Sequence, residues 1–183
     1  EIGVLNGGSL EMWKSYLGSG ARVIGVDLNP EVIKLRDQGF EVYSGNQASP
    51  DFWTDFFDRI GQVDIVLDDG AHTNVAQIVT AQSVAPFIND GGMLVVEDTH
   101  ASYMPQFGNP HRYSFIEFAK STVDALTERN PRVKSKHSQP LANQVMGMEF
   151  YESIVVFRVD RQRVEVPEIV TSGYEGIGVK DVS

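Results

Sequence analysis

Residues 1–29, EIGVLNGGSLEMWKSYLGSGARVIGVDLN, decide the fold. A short β-branched run, Ile2–Leu5, enters the turn Asn6-Gly7-Gly8-Ser9. The amphipathic stretch Leu10–Leu17 follows, and Val23–Asp27 is a second short apolar run that ends on a carboxylate. Strand, glycine turn, helix and strand in that order form a βαβ unit, which needs a parallel sheet to bury both of its strands. Glu1-Ile2-Gly3-Val4 has no apolar lead-in, so the chain is expected to start inside its first strand, with a segment N-terminal to it missing.

The same rhythm continues outward from this unit. Strands are predicted at Glu41–Tyr43, Ile65–Asp69 and Leu94–Asp98, and helices at Pro30–Gln38, Pro50–Ile60 and Asn74–Ile88, opened by small polar caps or by a first-turn proline. His100 to Arg112, with two prolines and two histidines, reads as a long loop near a site. Ser114–Arg129 resumes helical spacing, and Asn130-Pro131 stops it. Val145–Tyr151 and Ser153–Asp160, joined tightly at Glu152, predict an antiparallel hairpin. The fold class expected is therefore α/β: a Rossmann-like, doubly wound, mostly parallel seven-stranded sheet ending in that hairpin. Residues 1–160 would form one domain, and 161–183 a polar C-terminal tail. Trp13, Trp53 and the phenylalanines of Phe52–Phe57 and Phe115–Phe118 are assigned to helix packing and core on their spacing.

Composition bounds the function. The 183 residues carry 42% hydrophobic and 22% charged side chains, an ordinary globular mixture that can build a core. A net charge of −10 repels phosphate backbones and anionic lipid, which argues against nucleic acid and membranes as partners. The absence of cysteine excludes disulfides, thiolate metal sites and a thiol nucleophile. No apolar run is long enough to span a bilayer, and with no secretory device the expected location is cytoplasmic.

In an open parallel sheet, ligands bind beyond the carboxyl ends of the strands. The unusual residues of this chain cluster there. Glu1, Gly3, Gly7 and Ser9 belong to the first strand and its glycine-rich turn, where missing Cβ atoms let a ligand approach the backbone. The turn does not match G-x-G-x-x-G and is equally readable as a tight connection. Asp27, about 20 residues on, is placed to accept hydrogen bonds from a ribose diol, or else to cap a turn. Asn46 and Gln47 offer amide donors and acceptors to an adenine edge, or are plain turn residues. Together these loops suit an adenosine-containing cofactor.

The densest ionisable cluster is Leu67-Asp68-Asp69-Gly70-Ala71-His72. Strand side chains alternate, so its two aspartates cannot do the same job; Asp68 is counted with the cofactor-binding residues. A lone histidine is more often structural than catalytic, but His72, beside paired carboxylates in a strand-end loop, is better placed to titrate near neutrality. Glu97 and Asp98 end the neighbouring strand, and oxygen ligands from two adjacent strand ends make a hard-cation site of the Mg²⁺ type. The alternative is a pair of acids satisfied by backbone amides. His100, His111 and Tyr103 are candidate acceptor contacts or ordinary loop packing.

These residues together resemble the class I S-adenosylmethionine-dependent methyltransferases, over nearly the whole span from Glu1 to about Asp160. More narrowly, Glu1-Ile2-Gly3-Val4 with Gly7-Gly8-Ser9-Leu10, Asp68-Asp69-Gly70-Ala71-His72, and Gly91 to His100 with Ser102-Tyr103 resemble the natural-product sugar O-methyltransferases, including macrolide-sugar and rhamnosyl enzymes. The resemblance implies His72 as general base, Asp69 as ligand of a divalent cation, usually magnesium, and S-adenosylmethionine as cofactor. The acceptor implied is a small-molecule hydroxyl on a natural-product sugar, and a homo-oligomer is compatible with it. Ala71 departs from the serine expected there, and Asn46 from a common aspartate. Two other readings remain open: a nicotinamide-dependent oxidoreductase on the same sheet, and a non-catalytic cofactor-binding domain of a larger synthase.

Overall fold

The computed structural model describes residues 1–107, 113–130, 133, 134, 136, 137 and 139–164 of the chain. Six strands and four α-helices are described: β1 Ile24–Asp27, β2 Glu41–Ser44, β3 Val63–Asp68, β4 Ile88–Val96, β5 Val145–Tyr151 and β6 Ile154–Val159, with α1 Gly8–Leu17, α2 Pro50–Ile60, α3 Asn74–Val84 and α4 Phe115–Thr127.

β1 pairs parallel with β2, and β3 parallel with β4. β6 then lies antiparallel to β4, and β5 antiparallel to β6, giving the order β3-β4-β6-β5 beside a separate β1-β2 pair. The terminal hairpin is as expected. The seven strands are not: the expected first strand, Ile2–Leu5, contributes a single residue. Ile2 bridges Val26 on one side and Asp68 on the other, in parallel register with both. Backbone bonds from Ile2 N to Leu67 O at 2.8 Å and from Gly3 N to Val26 O at 2.8 Å stitch the two sheets at this point. The strand stops there because Gly3 turns left-handed, at φ 82°, away from the extended geometry of a strand.

Other boundaries moved for local reasons. Pro30–Gln38 is a 3₁₀ helix, started by the Asn29 side chain accepting from Glu31 N. The helix expected to reach Ile88 ends at Val84, passes through a 3₁₀ turn at Ala85–Phe87, and releases Ile88 to open β4. Pro86 is the local cause, since it has no amide proton to continue the α-helical ladder. The expected loop from His100 onward contains 3₁₀ turns at Thr99–Tyr103 and Pro105–Phe107, and its remainder, 108–112 with His111, lies outside the described residues. Most of the expected tail, 165–183, does so too.

Helices cover both faces of the sheet. Val26 and Tyr43 face Trp53, Phe56 and the aromatic side of α2, in the larger core cluster with Phe115, Leu94 and Phe157. On the opposite face Val4, Leu10, Val32, Leu35, Phe40 and Val42 form a second cluster beneath α1. Gly25 explains how close that packing is: a Cβ there would meet Leu10, Val4 and Val42 methyls at 3.0–3.1 Å. Trp53 is 2% exposed and donates its indole N–H to Gln47 O at 2.8 Å, so its burial is apolar and its polar atom is satisfied. Burying a side chain of this size stabilises the fold by about 1.5–3 kcal/mol. Among the described residues no helix is long and apolar enough to cross a membrane.

Candidate functional site

Loops from successive parallel strands meet at their carboxyl ends. The first is the glycine turn. A Cβ on Gly3 would lie 2.1 Å from Asp69 O, so only glycine lets this turn pass the end of β3. Gly7 is also left-handed, at φ 81°, and caps α1. Ser9 is half-buried on the first turn of that helix, while Gly8 faces open space. The Glu1 carboxylate has a buried oxygen, Oε2, with no hydrogen-bond partner.

Asp27, at the end of β1, is tied to this turn. Its Oδ2 accepts from Val4 N and Leu5 N, each at 3.0 Å, and its Oδ1 from Asn29 N at 2.9 Å. The turn-holding role weighed from the sequence is therefore present. It leaves about one further acceptor position, on Oδ1, since a carboxylate offers about four and three are taken. Leu28, the next residue, is 68% exposed beside it, and Leu5 is exposed as well. Asn46 is exposed and folds back to accept from Ala48 N at 2.9 Å.

Gln47 and Asp68 sit deeper than their assigned roles require. Gln47 is buried, donating to Asp68 Oδ1 at 2.9 Å and Thr80 Oγ1 at 3.2 Å, and accepting from Ala71 N at 2.7 Å. Both of its amide protons are engaged, so its work here is to brace the Asp68–His72 loop and not to present an edge to adenine. Asp68 is 1% exposed; its Oδ1 also accepts from Gly70 N, and Oδ2 is buried without a partner. Burial pushes its carboxyl above the ordinary range, offset in part by the Gln47 bond.

Asp69, the next residue, points to the other face. It leaves β3 beside Asp98, which leaves the adjacent β4, and His72 turns back over both. His72 Nε2 lies 3.6 Å from Asp98 Oδ2 and 4.0 Å from Asp69 Oδ1. One ligand atom from each of the three residues falls within 4.8 Å of the others. Such a set, two carboxylates and an imidazole, is able to hold a metal ion, and the oxygens suit a hard cation. Glu97, the third acid of the sequence reading, is not one of these three. Its carboxyl is nonetheless held above the usual range by burial, then by the charges of Asp69, Asp98 and Glu1. Burial raises Asp69 too, with Asp98 adding to the shift and His72 opposing it. Closely spaced carboxylates that resist ionising together are what a divalent cation relieves.

Backbone strain concentrates at this place. Among the described residues, the four non-glycine residues with positive φ are Leu5, His72, Asp98 and Ser153; three of them surround the acidic rim, and the fourth is in the glycine turn. Strained backbone of this kind clusters at ligand-binding sites. Several supporting residues carried no signal in the sequence. Gln77, 1% exposed, donates to Glu97 O at 3.0 Å. Asn74 binds Ser102 Oγ, Phe115 N and Phe107 O, tying α3 to the segment after β4. Both are ordinary polar residues in a helical pattern, and only the fold shows what they face. Tyr103 is exposed.

No protein-family model matches the chain. Among curated proteins it is 32% identical over 152 residues to the 8-demethyl-8-alpha-L-rhamnosyl tetracenomycin-C 2'-O-methyltransferase of Streptomyces olivaceus, covering 81% of this chain and 40% of that protein. It is 30% identical to the demethylmacrocin O-methyltransferase of Streptomyces fradiae, covering 81% and 38% of the two chains. The mycinamicin VI 2''-O-methyltransferase of Micromonospora griseorubida is also 30% identical, with the same coverage of 81% and 38%. The chain thus spans about 40% of the length of these relatives. Among solved structures, the MycE methyltransferase from the mycinamycin biosynthetic pathway, in complex with Mg and SAH, superposes with a TM-score of 0.80 at 25% identity, over 95% of this chain and 47% of that one.

Proposed function

This chain is a methyltransferase-fold homologue of the natural-product sugar O-methyltransferases, and on that premise we propose that it transfers a methyl group from S-adenosylmethionine to a sugar hydroxyl of a small natural product. The observation that carries the reading is the convergence of Asp69, His72 and Asp98 at two adjacent strand ends. Residues 1–160 form the unit that would carry cofactor and base together.

The residues present fit the cofactor. The orphaned Glu1 Oε2 offers an acceptor to an amino-acid ammonium, Asp27 Oδ1 has an acceptor position left for a ribose hydroxyl, and exposed Leu28 gives an apolar face for adenine. Gly8 and Ser9 open a helix N-terminus toward the same space. They fit the cation as well: Asp69 and Asp98 would hold Mg²⁺, with Glu97 as a neighbouring acid, and the ion would supply a Lewis acid that lowers the pKa of a bound hydroxyl.

The chemistry left to the protein is ionisation and alignment of the acceptor. His72 presents Nε2 to the acidic rim and keeps Nδ1 buried, so Nε2 is the atom that takes the acceptor proton. Hard-cation preference for oxygen leaves that imidazole nitrogen available as a base. Loss of the proton makes the oxygen a competent nucleophile as it gains the methyl group and a neutral thioether departs. Holding oxygen, carbon and sulfur in line contributes several kcal/mol through orientation.

Calorimetric titration with S-adenosylhomocysteine, with and without Mg²⁺ and against NAD as control, tests the cofactor reading. Binding of the former alone supports it and justifies a screen of glycosylated acceptors. Binding of NAD alone transfers the site to hydride chemistry, and binding without turnover on any acceptor favours a non-catalytic domain.

A further inference from the structure

The β5–β6 hairpin closes the sheet and also reaches the acidic rim. β6 runs antiparallel to β4, with Val155 opposite Val96 and Val156 opposite Val95. The start of β6 therefore lies at the carboxyl end of β4, next to Glu97 and Asp98. Tyr151 pairs with Ile154, so the turn is only Glu152-Ser153, and it stands on the same rim as the Asp69–His72–Asp98 group.

Two contacts fasten the turn to that rim. Thr99 N donates to Ser153 O at 3.0 Å, and Ser153 Oγ hydrogen-bonds His100 Nδ1. The same Nδ1 is 3.8 Å from Asp98 Oδ1, while Asp98 Oδ2 is 3.6 Å from His72 Nε2. The Asp98 carboxylate is thus flanked by one imidazole at each oxygen, and the outer imidazole is the one anchored to the hairpin.

The residue type at the turn points the same way. Ser153 has φ 64°, in the left-handed region that two-residue hairpins usually fill with glycine or asparagine. Serine is strained there, and what it adds over glycine is the hydroxyl that meets His100.

We propose that Ser153 and His100 are positioning residues for Asp98, holding one carboxylate oxygen so that the other faces His72 and the cation position. The inference rests on the cation-dependent reading given above. It makes the hairpin part of the site, with a role that a purely structural turn lacks.

The test is Mn²⁺ binding to the purified chain, read as loss of the free-ion signal in electron paramagnetic resonance, alongside thermal melts without metal. Ser153→Gly relieves the left-handed strain and removes the hydroxyl. It should melt no lower than the parent while binding Mn²⁺ about tenfold more weakly, the scale seen when a group that orients a metal ligand is removed. His100→Ala should lose affinity by a similar factor, and the double variant should lose little more, because both act along one path. Unchanged Mn²⁺ affinity in Ser153→Gly overturns the proposal while leaving the methyltransferase reading intact. So does a joint loss of stability and affinity, which would make the serine a structural turn residue. A parent chain that binds S-adenosylhomocysteine but no Mn²⁺ overturns the cation part of the proposed function, and the positioning role with it.

Discussion

Replacing Asp98 with Asn separates the electrostatic cost of the site from its use. The nearest ligand atoms of Asp69 and Asp98 lie within 4.8 Å, where two unit charges repel by 332/(ε × 4.8): about 0.9 kcal/mol at a dielectric of ~80 and about 3.5 kcal/mol at ~20. The two side chains are 41% and 45% exposed, so screening by solvent places the repulsion near the lower figure. At pH 8, where an ordinary imidazole carries no charge, the metal-free Asp98→Asn variant should exceed the parent in stability by about 0.5–1 kcal/mol. That corresponds to a Tm higher by roughly 1–4 °C for a chain of this length. Asn also tolerates the left-handed backbone at φ 52° that this position demands. Mg²⁺ should reverse the order, because a ligand at 100 times its Kd adds about 2.7 kcal/mol to a protein that binds it and nothing to one that does not. Melts followed by circular dichroism, first in chelator and then across a Mg²⁺ series, read both effects. A variant that melts below the parent in chelator would refute the repulsion argument, and Mg²⁺ protection that survives the substitution would remove Asp98 from the ligand set.

His72→Ala should lower turnover by about 10²–10⁴-fold with little change in S-adenosylhomocysteine affinity; steady-state kinetics that show normal turnover would end its role as base. Gly3→Ala forces a Cβ to within 2.1 Å of Asp69 O on a left-handed backbone. It should destabilise the chain by about 2 kcal/mol or more, measured by urea unfolding, and a neutral result would mean the turn is looser than its geometry. Burial raises the Asp68 pKa, so the native state holds that proton more tightly than the unfolded chain, whose carboxyl titrates near ~4. The stability linked to this group is highest below the unfolded value and is lost as pH rises through the raised native one. Asp68→Asn should flatten that decline in unfolding curves taken from about pH 4 to 8, leaving the same-signed contributions of Asp69 and Glu97; an unaltered slope would show that Asp68 is charged in the native state at no cost.

Much of the fold was legible because periodicity and punctuation report local preference directly. α2, with Ser49 as cap and Pro50 in the first turn, runs over Pro50–Ile60 as its sequence predicts, and β5 over Val145–Tyr151. The first strand was legible in kind but not in extent, since whether Gly3 continues a strand or turns left-handed depends on the backbone of Asp69 standing beside it. In the candidate site, the ordered acids and His72 were visible because ionisable residues at strand ends are unusual. Gln47 stayed open between ligand contact and turn for a physical reason: an amide after a strand looks the same whether it faces a ligand or, as here, fills a buried slot between Asp68, Thr80 and Ala71.

The sequence by itself determined the alternation of strands and helices, the closing hairpin, and the list of side chains able to do acid–base or cation chemistry. These follow from hydrophobic spacing, turn residues and the chemistry of each group, all of which are local. Only the tertiary structure decided how those groups are divided. It sends Asp68 inward and Asp69 outward, brings His72 to the rim beside Asp69 and Asp98, and brings Ser153 and His100 to the far side of Asp98. The reason is that these relations run between residues 26 to 55 positions apart, across the parallel pairing of β3 with β4 and the antiparallel return of β6. No local preference encodes a register of that kind.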